Sequence, residues 1–138
     1  MRRGDDERGS LAVELSVLAP ILIAFMLLVV FAGRVAQAES DVRSAAQEGA
    51  RAASLRASPG SADAAARTTV DQNLAASGVA CRSANVSVDV SDLQSGGQVA
   101  VTVRCTTSFS DLAMVGAPGT RDFESTAVEV VDTYRGGP

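Results

Sequence analysis

The sequence predicts an α+β chain: one long N-terminal helix that crosses a membrane, a second short helix, and a small three-stranded antiparallel sheet. Two observations predict the first helix. Residues 15–32 carry no charge, and residues 34–56 repeat small apolar residues at three- and four-residue steps. Valines that alternate with polar residues from position 85 onward predict the sheet. The 138 residues suffice for one spanning helix and one domain of roughly 100 residues.

The apolar run is the segment on which the other predictions depend. Only Ser16 and Pro20 interrupt the aliphatic and aromatic side chains from Leu15 to Ala32. Such a helix is about 27 Å long, close to the roughly 30 Å thickness of a bilayer's hydrocarbon core. A chain this short cannot surround it with a core of its own. We therefore expect residues 10–33 to be a transmembrane helix, which Pro20 kinks or locally unwinds.

Flanking charge predicts the orientation of that helix. Residues 1–9 contain three arginines, whereas Arg34 and Arg43 follow the run, so the positive-inside asymmetry is modest. It places the N-terminus in the cytoplasm and residues 34–138 outside. Residues 1–9 are short, polar and interrupted by glycine, so we expect a cytoplasmic leader rather than folded structure.

The helix is expected to continue outside the membrane to about Arg56. Its charged residues fall mostly off one narrow stripe and should form a solvated face. Ser58-Pro59-Gly60-Ser61 then predicts a break, followed by a second helix from about Ala62 to Ala76. That helix should lie on the surface and pack weakly, because its apolar face is mostly alanine. The packing stripe of the first helix comprises Val35, Ala38, Val42, Ala45, Gly49 and Ala52.

After Gly78 the apolar period changes from helical to two. Residues 86–90 and 99–105 are expected to be strands joined by a hairpin loop at residues 91–97. A loop over residues 111–120 should precede a third strand, from about Asp122 to Asp132. Its imperfect alternation leaves open which residues face the core.

Cys81 and Cys105 both lie beyond the apolar run. Two cysteines are too few for a metal site, which needs three or four ligands. Outside the cytoplasm we expect one disulfide, with two free buried thiols as the alternative. A hairpin centred near Gln94 would bring Cys105 opposite Ala84, so the pairing is geometrically possible. The loop closure would contribute about 3–4 kcal/mol in the chain-entropy model.

Composition argues against catalysis and against nucleic-acid binding. There is no histidine, so the commonest general base and a common metal ligand are both missing. The net charge is −4 and aromatic residues make up 4 % of the chain, which leaves neither a basic face nor a stacking platform. No nucleophile elbow and no phosphate-binding loop occurs. We expect no enzyme activity, no metal, no cofactor and no nucleic-acid partner.

Gly9, Ser10 and Glu14 form a pattern of their own. Counted from Ser10, the glutamate is the fifth residue and stands at the entrance of the apolar run. A carboxylate near hydrocarbon costs on the order of 2–3 kcal/mol, so it should have a partner or a role. A glycine followed by a glutamate at this spacing resembles the N-terminus of type IV prepilins.

Further motifs follow along the chain: Ala12-Val13-Glu14-Leu15, Pro20 six residues after the glutamate, Gly33-Arg34, and Glu48-Gly49-Ala50-Arg51-Ala52-Ala53. Through them, the chain over about residues 8–56 resembles TadE-like minor pseudopilins of the tight-adherence (Tad/Flp, type IVb) pilus and secretion machinery. The residue after the glutamate is Leu15, where that family usually has Phe or Tyr.

The resemblance implies a pilin-like fold and a role in pilus assembly. A prepilin peptidase would cut between Gly9 and Ser10, and Glu14 would meet the new amine of a neighbouring subunit. The implied partners are the membrane, other pilins and pseudopilins, the prepilin peptidase, and the Tad assembly platform with its ATPase. The protein would be a single-pass protein of the cell membrane and could enter the pilus.

Two other interpretations compete with this one. Ala36-Gln37-Ala38 is an acceptable signal-peptidase site, so the chain could be a secreted domain that starts at Glu39. It could also be an uncleaved single-pass anchor whose extracellular domain binds a ligand. The length of the apolar run, the intrusion of Glu14 and Pro20, and the helical pattern across Ala38 argue against the secreted form.

Overall fold

The computed structural model describes the backbone of residues 4–108 and 119–134, and the side chains of residues 11–108 and 119–134. The chain divides into two units, Met1–Ala36 and Gln37–Pro138, here called the first and the second unit. The long apolar helix, the second helix and the three-stranded antiparallel sheet confirm the predicted α+β class. In chain order the elements are α1 (Gly4–Ser54), α2 (Pro59–Ser77), β1 (Cys81–Asp92), β2 (Gln98–Ser108) and β3 (Thr120–Val130).

Helix α1 begins earlier than the sequence suggested. Its backbone is helical from Gly4, so the expectation that residues 1–9 lack folded structure is wrong for residues 4–9. The helix also continues through Pro20 without a break, so the local unwinding is absent. The kink at Pro20 stays a prediction.

Within the second unit, α1 packs through small side chains. Val42, Ala45 and Gly49 are buried, as the stripe predicted, while Ala38 and Ala52 are half-buried. The buried face is wider than that stripe, because α1 touches both α2 and the sheet. The additional buried alanines are Ala46, Ala50 and Ala53.

Gly49 marks the closest approach of α1 to its neighbours. A Cβ built on it would lie 2.7 Å from Cγ2 of Val70 on α2 and 3.4 Å from Cγ1 of Val101 on β2. Valine is stiff at χ1, so Val70 cannot easily turn away. Glycine is needed here for proximity rather than for an unusual backbone conformation.

The break before α2 lies at residues 55–58, earlier than the predicted Ser58-Pro59-Gly60-Ser61, because α1 ends at Ser54 and α2 begins at Pro59. Ser58 caps the helix, its hydroxyl accepting a hydrogen bond from the Ser61 N–H at 3.3 Å, and Pro59 occupies the first helical position, where proline is favoured. Gly78, with φ +75°, ends the helix as expected. The helix lies on the surface as predicted, with most of its residues exposed, whereas the predicted weak packing is wrong because one face is buried. That face consists of Ala62, Ala66, Val70 and Leu74.

Arg67 fastens α2 to the edge of β1. Its Nη1 donates to the backbone carbonyl of Val86 at 2.6 Å, and its Nε donates to Oδ2 of Asp63 at 2.9 Å. The hydrogen bond that Arg67 donates to Asp63 is the main reason why the pKa of Arg67 is raised above its ordinary value. The guanidinium therefore stays charged while it occupies a strand carbonyl.

The sheet is antiparallel throughout, in the order β1-β2-β3. Ala84 pairs with Cys105, which is the register that the sequence predicted for the hairpin. A disulfide joins Cys81 to Cys105, with the two Cα atoms 5.4 Å apart. On β2 the alternate residues from Val99 to Thr107 are buried.

Strand β3 spans Thr120–Val130, two residues earlier than predicted, and most of the predicted loop before it lies outside the described residues. Phe123 and Val131 are buried, whereas Val128 and Val130 are exposed on the opposite face. The structure thus shows which residues of β3 face the core, which the sequence left open.

The loop between β1 and β2 is fixed to the end of β3. Gly97 accepts a hydrogen bond from the Val131 N–H at 2.9 Å, and the Gly96 N–H donates to the Val131 carbonyl at 3.0 Å. Gly96 has φ +81°, and a Cβ on Gly97 would come within 2.1 Å of the Asp92 carbonyl oxygen. Both glycines are therefore required by the geometry of this loop.

Candidate membrane-spanning helix

The apolar segment, defined as residues 11–33 of α1, is exposed at every position except Phe31, which is half-buried. Its large apolar side chains, from Leu11 to Val30, are each between 45 % and 67 % exposed. None of the most apolar 18-residue window of this helix is buried. The packed segment, residues 37–54 of the same helix, buries Val42, Ala45 and Gly49 instead.

The free-energy cost of exposing these apolar side chains to water indicates what surrounds the segment. Fourteen large apolar side chains of the segment are exposed. At about 1.5–3 kcal/mol for each side chain, burying them is worth on the order of 20 kcal/mol or more. The whole stability of a domain is only about 5–15 kcal/mol. An apolar environment outside the chain must therefore cover the segment, and α1 is long and apolar enough to cross a membrane.

Polar groups inside the segment are mostly satisfied within the helix. The Ser16 hydroxyl donates to the carbonyl oxygen of Ala12 at 2.7 Å, so it needs no partner in hydrocarbon. Pro20 has no N–H. The carbonyl oxygen of Ser16, four residues earlier, therefore lacks its usual helical hydrogen-bond donor. The turn from Ser16 to Pro20 is thus the part of the segment whose backbone depends most on an outside donor.

The predicted processing residues lie at the start of the same helix. Gly9 and Ser10 have helical backbones, and Glu14 follows one turn after Ser10 with an exposed side chain. Cleavage after Gly9 would leave the amine on the backbone nitrogen of Ser10, about one helical turn from Glu14 along the chain. The cut itself and the role of Glu14 stay predictions.

Elsewhere, the described residues contain no cluster for chemistry. No group of three His, Cys, Asp or Glu side chains that could hold a metal occurs among them. The sheet face away from α1 carries cross-strand pairs instead: Arg104 with Glu124, and Thr102 with Thr126 at 2.8 Å. These pairs stabilise a solvent-exposed sheet face. The disulfide lies in the second unit and Glu14 in the first.

Two features of the structure escaped the sequence analysis. One is the Ser16 hydrogen bond, for which the signal was a serine four residues before a proline. The other is a polar groove between α1 and β3, with Arg43 and Arg51 on one wall and Glu129 on the other. A sequence pattern does not bring these two walls together.

The comparison with known families agrees with the location of this site. The family described as TadE-like protein matches residues 9–51, about a third of the chain. The match confirms the resemblance inferred from the sequence and covers the apolar segment and most of the packed segment. No curated protein and no solved structure shows significant similarity to the chain.

Proposed function

We propose, from the match of residues 9–51 to the TadE-like family, that this chain is a minor pseudopilin of a Tad/Flp type IVb pilus or secretion system. The observation that carries the proposal is the overlap of three features on one helix. The family match begins at residue 9, Glu14 stands at the proposed membrane entrance, and the uncharged run of residues 15–32 follows at once. The chain would prime or build the pilus through this helix.

The proposed topology divides the chain at the two ends of the membrane. Residues 1–9 form a cytoplasmic leader, residues 10–33 cross the membrane, and residues 34–138 form an extracytoplasmic pilin-like domain. The Cys81–Cys105 disulfide supports this orientation, because disulfides persist in oxidising compartments and are rare in the cytosol.

Cleavage would turn Glu14 into half of an ion pair. A cut after Gly9 leaves a positively charged amine on Ser10, about one turn from Glu14. Between neighbouring helices in a low-dielectric bundle, the amine of one subunit would pair with the carboxylate of the next. Such a pair offsets the cost of the buried charge and fixes the axial register of the subunits.

The partners of the proposal follow from its steps. A prepilin peptidase makes the cut, a major pilin and related pseudopilins pack against the apolar segment, and a Tad assembly platform with its ATPase drives assembly. Helix contacts in a bilayer rely on shape and on interhelical hydrogen bonds rather than on hydrophobicity. The Ser16 carbonyl, which Pro20 leaves without its helical donor, would suit such a bond.

The test is the assembly of a Glu14→Gln protein in cells that make pili. Glutamine keeps the shape and removes the charge, so we expect impaired cleavage or incorporation with a folded second unit. Glu39→Gln is the matched control, because it removes a carboxylate whose only described ion pair, with Arg43 at 3.7 Å, is solvent-exposed. Assembly of the Glu14→Gln protein at the normal level would refute the proposed role.

The secreted form is the second candidate, and the structure offers it less support. Residues 36–39 lie in the middle of α1, which is helical from Gly4 to Ser54. Cleavage after Ala38 would cut a continuous helix. The remaining candidate is an uncleaved single-pass anchor whose extracellular domain binds a ligand. It would differ from the pseudopilin in its N-terminal residue alone.

A further inference from the structure

The large side chains of the apolar segment are not distributed evenly around the helix. Six of them recur at steps of four, three, four, three and four residues, which is the spacing of the a and d positions of a heptad repeat. Each of the six is between 45 % and 65 % exposed, so the described part of the chain leaves them uncovered. These six residues, here called the seam, are Leu11, Leu15, Leu18, Leu22, Phe25 and Val29.

The other rows of the same stretch are all interrupted. Each of the five remaining heptad positions contains a small residue, a polar residue or a proline between residues 11 and 29. Acyl chains surround a lone helix on every side, so lipid alone does not explain why one side keeps only large side chains. A neighbouring helix on that side does explain it. The interrupting residues are Ala12, Pro20, Glu14, Ser16 and Ala24, at positions e, f, g, b and c.

The seam is as long as a membrane is thick. From Leu11 to Val29 a helix rises about 27 Å, close to the roughly 30 Å thickness of the hydrocarbon core. The next d and a positions hold the small residues Ala32 and Ala36, and the d position after them holds Glu39. The repeat of large side chains therefore stops near the proposed outer end of the membrane span.

We propose that the seam binds the seam of a second copy of this chain, so that two apolar segments pair in parallel as a left-handed coiled coil. A strict seven-residue repeat imposes this supercoil, and most helix pairs in membranes cross at the same angle, about +20°. Each seam side chain would insert between four residues of the facing helix. A second copy fits because a two-fold axis presents the same seam to itself, and insertion in one orientation makes the two helices parallel.

The pairing also gives Glu14 a neighbour. Glu14 occupies position g, directly beside the seam residue Leu15. Side chains of a helix tilt toward its N-terminus, so the Glu14 carboxylate leans toward the end at which Ser10 lies. In a parallel pair, that end of the neighbouring helix lies at the same depth. The seam would thus be the face across which a Ser10 amine meets Glu14; this step rests on the proposed function, whereas the seam does not.

A row of smaller residues is the competing contact face. Ala12, Ser16, Pro20 and Ala24 follow one another at four-residue steps, and small residues favour close helix contacts in membranes. Two observations count against this row. The Ser16 hydroxyl already donates to the Ala12 carbonyl oxygen at 2.7 Å, and the ring of Pro20 stands in the middle of the row. The seam has no such interruption.

The test maps the contact face by cross-linking the full chain in vesicles of phosphatidylethanolamine and phosphatidylglycerol. Leu22→Cys and Phe25→Cys each place one thiol on the seam, whereas Ala24→Cys and Leu27→Cys each place one away from it. Molecular oxygen with a copper catalyst joins two thiols only where the Cα atoms lie within about 7 Å. We expect at least five times more cross-linked dimer, about fivefold or above, from the seam variants than from the other two.

A pair of leucine substitutions tests the packing without any added thiol. Leu22→Ala removes a seam side chain, and the matched control Leu27→Ala removes the same atoms at position f, which points away from the partner. Energy transfer between labelled copies in the same vesicles measures dimerisation. We expect the dissociation constant to rise about three- to tenfold for Leu22→Ala and to stay unchanged for Leu27→Ala.

Three outcomes would overturn the proposal. Equal cross-linking at all four positions would indicate random collision, and a maximum at Ala24→Cys would make the row of small residues the contact face. Absence of cross-linking at every position would exclude a second copy as the partner. A chain that starts at Ser10 in its own cells but does not pair would refute the seam and leave the proposed function standing. Pairing of a chain that keeps Met1 would do the reverse.

Discussion

The two halves of α1 belong to one continuous helix, yet they are built for opposite environments. The apolar segment carries leucine, isoleucine, valine and phenylalanine side chains that remain exposed on every side. The packed segment carries alanine and glycine where it meets α2 and the sheet. Large side chains with no protein partner indicate an outside apolar phase, and small ones indicate close protein packing. Composition and side-chain size both distinguish the two segments, because residues 15–32 carry no charge and residues 37–54 carry five charged residues.

Loss of the disulfide should have the largest effect and should affect only the second unit. In a Cys81→Ala/Cys105→Ala double variant, we expect the free energy of unfolding of that unit to fall by about 3–4 kcal/mol. Chemical denaturation of the full chain in detergent, with and without a reductant, measures this. Membrane association should be unchanged, because the apolar segment contains neither cysteine. A loss of membrane association would show that the two halves are not independent.

A charge in the apolar segment should impair membrane insertion and leave the stability of the second unit unchanged. Leu22→Arg should disfavour membrane insertion by about 3 kcal/mol, since arginine is costly at the bilayer centre and leucine is favourable there. The apparent free energy of membrane insertion should become less favourable by this amount, whereas the denaturant concentration at which the second unit unfolds should not change. Leu22→Ile is the volume-conserving control. Normal insertion of Leu22→Arg would contradict a bilayer as the surrounding phase.

One glycine in each half gives a matched pair of substitutions. At Gly49 the added methyl would clash with Val70, at a cost of about 1–3 kcal/mol that outweighs a helix-propensity gain of about 1 kcal/mol. We expect Gly49→Ala to destabilise the second unit by about 1 kcal/mol net. A Cβ on Gly33 meets nothing within 4 Å, so Gly33→Ala should leave that unit unaffected. Equal effects in a thermal melt would refute the assigned difference in packing.

The smallest expected effect is a pH dependence confined to the second unit. Hydrogen bonds from the Ser91 hydroxyl and backbone N–H lower the pKa of Asp89 below its ordinary value. A lowered folded-state pKa adds stability above the unfolded pKa, about 4, and this stability is lost as the pH falls through the folded value. Asp89→Asn should therefore flatten the acid side of the stability profile. An unchanged profile below about pH 4 would remove Asp89 as a contributor.

The sequence predicted the elements that depend on local pattern. The apolar run, the alternating valines and the hairpin register at Ala84 and Cys105 all follow from periodicity and loop length. It did not predict features that depend on contacts between residues far apart in the sequence. The alanine face of α2 is fully buried because Gly49 allows α1 to approach, which no local pattern contains.

The candidate site divides in the same way. Glu14, Ser10 and Pro20 lie on one helix, so their spacing alone gives their relative positions. The groove beside β3 joins residues some 80 positions apart, such as Arg43 and Glu129, and only the tertiary structure reveals it. The sequence likewise does not show which residues of β3 face the core, because Val130 and Val131 are adjacent and both apolar. The register of the sheet determines it.

The central claim is that the apolar segment begins at a processed N-terminus. It is tested most directly by the N-terminal residue and the intact mass of the protein purified from membranes of its own cells. We predict a chain that starts at Ser10. A start at Glu39 would contradict the claim and indicate a secreted domain. An intact Met1 would contradict it as well and indicate an uncleaved anchor, with Leu15 in place of the family's usual aromatic as the first suspect.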